Sequence, residues 1–146
     1  KFIKILFPNA KIIHANRNLQ DVALSIYRNT FDGFSLPWSY NQEHLIKFID
    51  MYQDLMSYWH ELYPNKIYDM NYEYLTTNQE EETRLLLDYC ELEWDENCLN
   101  FHENKRAVQT ASAMQVRKKM YQGSSEDWKK YRTHIQPLID GLKSLE

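Results

Sequence analysis

Two side chains near the start of the chain have the types and the spacing to bind an anion. Arg17 follows a short apolar, β-branched segment, and Ser25 stands eight residues further on. A guanidinium group can hold a phosphate through two parallel hydrogen bonds and keeps its charge at any working pH. A hydroxyl group can donate one more hydrogen bond to the same anion. The pair therefore indicates a site for a single phosphate group.

The elements that must position these two residues follow from hydrophobic periodicity. Residues 11–15 predict a strand that is buried on both faces of a parallel sheet, where ligands collect at the carboxyl ends of strands. Asn18 is a candidate N-cap, and the residues after it predict a helix with one apolar stripe. Ser25 would lie about 9 Å along that helix at 1.5 Å per residue. The phosphate would thus lie against the helix flank rather than at its tip.

The same spacing also allows a purely structural interpretation. Arg17 could form an exposed ion pair with Asp21, which would contribute about 0.5 kcal/mol. Ser25 would then be a solvated helix residue. Arg28 shares the polar flank with Asp21 and Ser25 and could add a second positive charge.

The rest of the chain is predicted to be mainly helical. Apolar residues three and four apart predict a long helix of the protein core up to residue 63, opened by a capping box of Ser39 and Gln42. Thr77 and Glu80 form a second candidate capping box. The other predicted elements are the end of a helix at 1–7, a strand at 66–70 followed by a polar turn, an irregular stretch at 99–110, and helices at 113–118, 126–134 and 137–145. This order predicts an α/β domain with a small parallel sheet.

Composition and charge exclude several classes of protein. The 146 residues include 14% aromatic residues and only three glycines and four prolines, which excludes a disordered chain. No apolar run reaches the ~20 residues of a membrane span. The net charge of −4 argues against nucleic-acid binding, although residues 105–132 carry eight basic side chains against two acidic ones. That basic part indicates either a site for a small anionic ligand or a solvated basic face.

The two cysteines do not predict a metal site. Cys90 and Cys98 stand near His102, but two further ligands at the usual zinc spacing are missing. We therefore expect two semi-buried thiols and no bound metal.

Four segments, in order, resemble the sulfotransferases that use PAPS (3′-phosphoadenosine 5′-phosphosulfate). KIIHANRNLQDVALSIY at 11–27 resembles the family's 3′-phosphate-binding segment, in which an arginine ends a strand and a serine follows eight residues later. MNYEYL at 70–75 resembles its YE-L turn, and DYCELEWDENCLNF at 88–101 resembles its CGL-W----CL-F stretch. VQTASAMQVRKKMYQGSSEDWKKY at 108–131 resembles the C-terminal stretch of tyrosylprotein-sulfotransferase-like and related bacterial enzymes.

The resemblance implies a P-loop-NTPase-like sulfotransferase fold, of which this chain is the helix-rich C-terminal part with a small parallel sheet. It implies transfer of a sulfuryl group from PAPS to a hydroxyl or amine, with PAP as the product and no metal. It also implies a set of cofactor-binding residues: Arg17 and Ser25 for the 3′-phosphate, Tyr72 for the adenosine part, and Ser112, Arg117 and Lys118 closing over the nucleotide.

Several residues depart from the family pattern or leave two interpretations open. Asp127 precedes Trp128 where the family often has a cation, so that charge is lost or replaced by Lys129. Glu91 replaces a glycine, and Arg28 stands one residue early for a second family arginine. The aromatic loop at 31–40 either lines the acceptor pocket or covers the core.

The loop that would bind the phosphosulfate is not found in these residues. The family neutralises charge on the departing oxygen with a glycine-rich turn of the PxSGTT type, but the three glycines here are isolated. No catalytic base can be named, since no ordered partner is evident for any of the candidate histidines: His14, expected to be a satisfied core residue, His44, His60 and His102. We therefore expect residues 1–146 to be a single, N-terminally truncated sulfotransferase domain that lacks ~100 residues.

The sequence is compatible with several acceptors and with two cellular compartments. The acceptor could be a peptide tyrosine, a sugar, a lipid or a small alcohol. The Lys-, Asn-, Ile- and Tyr-rich composition favours a bacterial cytoplasmic protein over one of the Golgi lumen. A non-catalytic, helix-rich interaction module on a sulfotransferase-like scaffold is the main alternative, and a P-loop kinase fragment fits less well. A PxSGT-like turn encoded upstream of Lys1 would favour the enzyme.

Overall fold

A computed structural model describes residues 2–31, 36–108, 114, 116–120 and 126–145. The chain divides into two compact units. The first, here called the strand unit, comprises Lys1–Asn16 and Lys66–Gln122. The second, here called the core unit, comprises Arg17–Asn65 and Gly123–Glu146.

The described residues form a helix-rich α/β structure, as the sequence predicts. The helices and strands are, in chain order, α1 (Phe2–Leu6), β1 (Ile12–Asn16), α2 (Leu19–Arg28), α3 (Gln42–Leu62), β2 (Ile67–Asn71), α4 (Tyr72–Thr77), α5 (Gln79–Tyr89) and α6 (Gln136–Lys143). Short 3₁₀ helices lie at Pro37–Tyr40, Glu96–Cys98, Phe101–Glu103 and Asp127–Tyr131. Among the helices in these ranges, none is long and apolar enough to cross a bilayer.

The sheet of the strand unit consists of β1 and β2, which run parallel. Ile12 lies opposite Ile67, and Asn16 lies opposite Asn71, so the two strands end side by side. The prediction that β1 is buried on both faces is wrong within the described chain, where Ile13 is 43% exposed. Full burial of a parallel strand requires a covering layer on each face of the sheet. The described residues do not cover both faces of β1.

Three contacts connect the end of α5 and the residues just after it to the start of the sheet in the strand unit. The Tyr89 hydroxyl lies 3.2 Å from the carbonyl oxygen of Ile12 and 2.9 Å from that of Lys66, so it bridges the starts of both strands. Lys11 Nζ donates to Glu91 Oε1 at 2.6 Å. This hydrogen bond lowers the pKa of the Glu91 carboxyl and raises that of the Lys11 ammonium.

Glu91 shows how the chain replaces the glycine of the family pattern. The residue adopts a left-handed conformation with φ of 59°, directly after the last residues of α5. The N–H of Glu91 donates to Asp88 O at 2.9 Å, and the N–H of Leu92 donates to Leu87 O at 3.0 Å. The helix therefore ends through the backbone geometry that glycine usually provides, although the side chain differs.

The buried apolar core of the described chain lies in the core unit. α2, α3, α6 and the residue before α6 contribute eight buried side chains: Ala23, Leu24, Leu45, Ile49, Ile135, Leu138, Ile139 and Leu142. Gly141 allows α6 to approach α3 closely. A Cβ atom at this position would lie 2.3 Å from Ile46 Cδ1, so glycine serves here for its size.

The long helix α3 is present as predicted, but only one face of it belongs to the core. Leu45 and Ile49 are buried, whereas Phe48, Leu55 and Leu62 are exposed. The prediction that the whole apolar pattern packs in the core is therefore wrong for the described chain. The apolar surface of α3 is wider than the surface that α2 and α6 cover.

Two predicted helix caps are also wrong. Asn41 caps α3 by accepting the His44 N–H at 3.0 Å, whereas the Ser39 hydroxyl donates to Leu36 O at 2.7 Å. The Thr77 hydroxyl donates to the carbonyl oxygens of α4 and so closes that helix rather than opening α5. The short helix α4 takes the place of the predicted polar turn.

Candidate functional site

The junction after β1 carries Arg17 as the sequence predicts. β1 ends at Asn16, Arg17 is the next residue, and Asn18 caps α2. The side chain of Asn18 accepts a hydrogen bond from the Asp21 N–H at 3.0 Å. Arg17 is half-buried. Arg17 therefore directly precedes a capped helix of the core unit.

Ser25 lies on α2, directly after Leu24, which is buried in the apolar core. It is half-buried, and its carbonyl oxygen accepts a hydrogen bond from Asn29 Nδ2 at 2.8 Å. Among the described residues, no side chain or backbone group bonds to the hydroxyl of Ser25. This hydroxyl is therefore able to donate to a ligand on the helix flank.

Asp21 shares this flank, but it does not form the exposed ion pair of the structural interpretation. Asp21 is only 3% exposed. Its Oδ2 accepts the N–H of Glu126 at 2.7 Å, and its Oδ1 accepts the N–H of Trp128 at 3.3 Å. The carboxylate thus connects α2 to the C-terminal part of the core unit.

Arg28, at the other end of the flank, contacts the same C-terminal part. Arg28 Nη1 lies 3.4 Å from Asp127 Oδ2, and the guanidinium lies 6.0 Å from the centre of the Tyr131 ring. Asp127 Oδ1 also accepts a hydrogen bond from Lys130 Nζ at 2.6 Å. Lys130 first, and Arg28 in addition, lower the pKa of the Asp127 carboxyl. The acid that replaces a family cation is therefore neutralised by two neighbouring cations.

Lys129 was the other candidate to replace that cation. In the structure its ammonium group bonds to Glu126 Oε1 and lies 6.0 Å from the centre of the Trp128 ring. Both cations that follow Trp128 are thus paired with an acidic residue three positions earlier. The positive charges of Lys129 and Lys130 are therefore compensated by neighbouring carboxylates.

In the strand unit, Tyr72 occupies the position after β2 that Arg17 occupies after β1. Tyr72 is the first residue of α4 and is half-buried. Asn71, the last residue of β2, caps α4 by accepting the Tyr74 N–H at 2.9 Å. Tyr72 therefore lies at the carboxyl end of a parallel strand, which is where ligands bind in such sheets.

Arg117 and Lys118, two of the remaining predicted cofactor residues, lie in the C-terminal part of the strand unit. Arg117 and Lys118 are exposed, and Arg117 Nη2 donates to the carbonyl oxygen of Arg106. Ser112 lies outside the described residues.

The structure gives His14 an ordered partner that is not evident from the sequence. His14 Nδ1 lies 2.6 Å from Asp69 Oδ1, because these two residues face each other in the β1–β2 register. His14 is half-buried, as expected of a satisfied histidine. His102 is half-buried as well, with Nε2 3.9 Å from Glu103.

Residues 32–35 of the aromatic loop lie outside the described residues, whereas Trp38 and Tyr40 are described. Trp38 packs against the apolar core and stacks on Phe48, with ring centres 3.8 Å apart and planes 9° apart. The Tyr40 hydroxyl lies 2.9 Å from the N atom of Phe31. Trp38 therefore covers the core, as one of the two interpretations expected.

Comparison with known proteins adds independent information. The model of a protein family described as "Sulfotransferase family" matches residues 1–96 of this chain. This range includes Arg17, Ser25 and Tyr72. An "Uncharacterized protein" of Aquifex aeolicus (strain VF5) is 38% identical to this chain over 150 residues. The alignment covers 99% of this chain and 20% of that protein, so this chain spans about a fifth of the relative's length.

Proposed function

This chain belongs to the sulfotransferase family, and we propose that it provides the 3′-phosphate and adenosine side of a PAPS site. The sulfuryl group passes from PAPS to a hydroxyl or amine of the acceptor and leaves PAP. The observation that carries this proposal is the order strand, Arg17, Asn cap and helix, with the Ser25 hydroxyl available on the half-buried flank of α2.

The chemistry of the two side chains suits a 3′-phosphate. Arg17 supplies a fixed positive charge and a planar fork of donors, and Ser25 supplies a neutral hydroxyl donor. A hydrogen bond to a charged group contributes about 1.5–3 kcal/mol, against about 1 kcal/mol for a neutral one. Arg17 is therefore expected to provide the larger share of the affinity for the phosphate.

The other assignments complete the proposal for the nucleotide. Tyr72, at the end of β2, contacts the adenosine part, and Ser112, Arg117 and Lys118 close over the nucleotide. We place this chain within one P-loop-like sulfotransferase domain. Sulfuryl transfer additionally requires donors for the bridging oxygen and a base for the acceptor proton, and we assign no residue of this chain to either role.

Calorimetric titration of the full-length protein with PAP tests the proposal. We expect Arg17→Ala to weaken PAP binding by about 2 kcal/mol or more, which is roughly a 30-fold increase in Kd. Ser25→Ala is expected to cost about 1 kcal/mol. Arg132→Ala removes an exposed cation of the core unit and serves as the matched control, for which we expect unchanged affinity.

Two results would count against the proposal in different ways. An Arg17→Ala variant that binds PAP as tightly as the wild type would reject the site. A wild-type protein that binds neither PAP nor PAPS would favour the non-catalytic interaction module instead.

A further inference from the structure

We infer that Asp21 is a positioning residue for the proposed phosphate site, because it fixes residues 126–131, here called the C-terminal strap, against the flank of α2 that carries Ser25. This inference rests on the proposed function, since the site whose shape Asp21 would set is the 3′-phosphate site. Asp21 itself is not proposed to contact the nucleotide.

The hydrogen bonds of Asp21 explain why a carboxylate is buried at this position. Oδ2 and Oδ1 accept the backbone N–H groups of Glu126 and Trp128 at 2.7 and 3.3 Å. Asp21 also lies in the first turn of α2, where the helix dipole favours a negative charge. A buried carboxylate is costly unless such donors surround it. The strap therefore completes the surroundings that Asp21 requires.

The backbone of the strap shows that the contact also constrains its conformation. Glu126 has φ of 71° and ψ of 15°, a left-handed conformation that side-chain-bearing residues rarely adopt. Such a conformation persists where the surrounding structure holds it. The N–H of this same residue donates to Asp21, so the bond holds the strap in its less favourable turn.

The strap has a second attachment on the far side of Ser25. Arg28 contacts Asp127 and lies near the Tyr131 ring, while Trp128 packs against the apolar core. Asp21 stands four residues before Ser25, and Arg28 stands three residues after it, so all three share one face of α2. The two attachments therefore flank the hydroxyl that is proposed to bind the phosphate.

Loosening the strap should change phosphate binding without the loss of any direct ligand contact. The strap is attached to α2 at Asp21 and at Arg28, which lie on either side of Ser25 along the helix, so its order should set the space and the charges beside Ser25. A site held in the geometry of the bound state loses less freedom when the ligand binds. Asp21 thereby acts through the strap rather than on the nucleotide.

Asp21→Asn tests this role, because the amide keeps the shape but turns one acceptor into a donor that opposes a backbone N–H. Residue-resolved hydrogen exchange of the full-length protein should show at least tenfold faster exchange at residues 126 and 128. Calorimetry should show a fivefold to tenfold loss of affinity for PAP and a smaller loss for adenosine 5′-phosphate, which lacks the 3′-phosphate. A merely structural defect would weaken both nucleotides equally.

Two control variants separate this effect from general perturbation. Asp54→Asn makes the same change of charge on the exposed surface of α3, and Ile49→Val perturbs the core of the same unit mildly. Neither control should change the ratio of the two affinities.

In the wild type, the amides of Glu126 and Trp128 should exchange at least tenfold more slowly than that of Asp127. This pattern can be measured even if Asp21→Asn does not fold.

The outcomes that overturn the inference are distinct from failure of the proposed function. Unchanged exchange at residues 126 and 128, or an unchanged affinity ratio despite faster exchange, would show that Asp21 does not position the site. If the wild type binds no PAP, the proposed function fails and the inference falls with it. Wild-type exchange at Glu126 that is as fast as at Asp127 would overturn the inference while leaving PAP binding intact.

Discussion

All eight buried apolar side chains of the described chain belong to the core unit, whereas Thr76 is the only buried residue that the structure shows in the strand unit. The core unit encloses its aliphatic residues between three helices. The strand unit relies on polar and aromatic contacts near its surface. Arg84 stacks on Trp94, with the guanidinium 3.7 Å from the ring centre, and the Tyr89 hydroxyl bridges the two strands.

This difference bears on the cofactor residues proposed in each unit. Ser25 lies on a helix that contributes to the apolar core, and a rigid support suits the recognition of a phosphate. Tyr72 belongs to the unit with few buried contacts. Regions with little buried apolar surface open at a lower free energy than a packed core. We therefore expect the adenosine side to be less rigid than the phosphate side.

The largest expected effect tests the comparison directly with two leucine-to-alanine variants. Leu138 is 1% exposed in the core unit, and Leu85 is 51% exposed on α5. Leu138→Ala should lower the free energy of unfolding by about 2–5 kcal/mol, because it removes a large side chain from a packed core. Leu85→Ala should cost about 0.5 kcal/mol. Denaturant titration measures both, and similar losses would contradict the assignment of the core to one unit.

A smaller effect is expected from adding a methyl group at the close contact between α6 and α3. Gly141→Ala would place a Cβ atom 2.3 Å from Ile46 Cδ1, so the isoleucine must shift. We expect a net loss of about 1–2 kcal/mol, since overpacking outweighs the better helix propensity of alanine. The double variant with Ile46→Val should recover part of this loss. Additive losses would show that the two residues do not meet.

The strand unit should respond to the loss of one hydroxyl group. Tyr89→Phe removes the bridge to Ile12 and Lys66 and should cost about 1 kcal/mol. Hydrogen exchange at the start of β1 and β2 should become faster, while exchange in the core unit stays the same. Tyr74→Phe, at an exposed position of α4, is the control. Equal exchange in both variants would mean that the bridge does not stabilise the sheet.

The smallest expected effect is a dependence on pH in the strand unit. Because the pKa of Glu91 is lowered by Lys11, its contribution is present above its ordinary pKa and disappears as the pH falls through the lowered value. The raised pKa of Lys11 makes its contribution full below its ordinary pKa and lost as the pH rises through the raised value. Exchange near the end of α5 should therefore increase slightly in acid. Lys11→Met should abolish this increase, and an unchanged acid response in that variant would contradict the pairing.

The sequence predicted the local elements better than their burial. The strand before Arg17, the Asn18 cap and the apolar stripe of α2 all rest on signals within a few residues, and the structure confirms them. The cap of α3 was wrong, because Ser39 and Asn41 both have suitable side chains. Only the structure shows that the hydroxyl of Ser39 bonds to Leu36 O instead.

Contacts between residues that are distant in the chain could not be predicted from the sequence. Asp21 looks like an ordinary first-turn acid of a helix, and nothing in its surroundings points to residues 105 and 107 positions away. The exposure of Phe48 and Leu55 on α3 is equally invisible, because periodicity shows which face is apolar but not what covers it. The candidate phosphate residues could thus be named from sequence, whereas the strap beside them could not.

The most direct test of the central claim is a comparison of two nucleotides in two proteins. Calorimetry would measure the binding of PAP and of adenosine 5′-phosphate to the wild type and to Arg17→Ala. If Arg17 binds the 3′-phosphate, the variant should lose roughly 30-fold in affinity for PAP and little for adenosine 5′-phosphate, so most of the wild-type preference for PAP disappears. A variant that keeps this preference, or that weakens both nucleotides equally, would contradict the account.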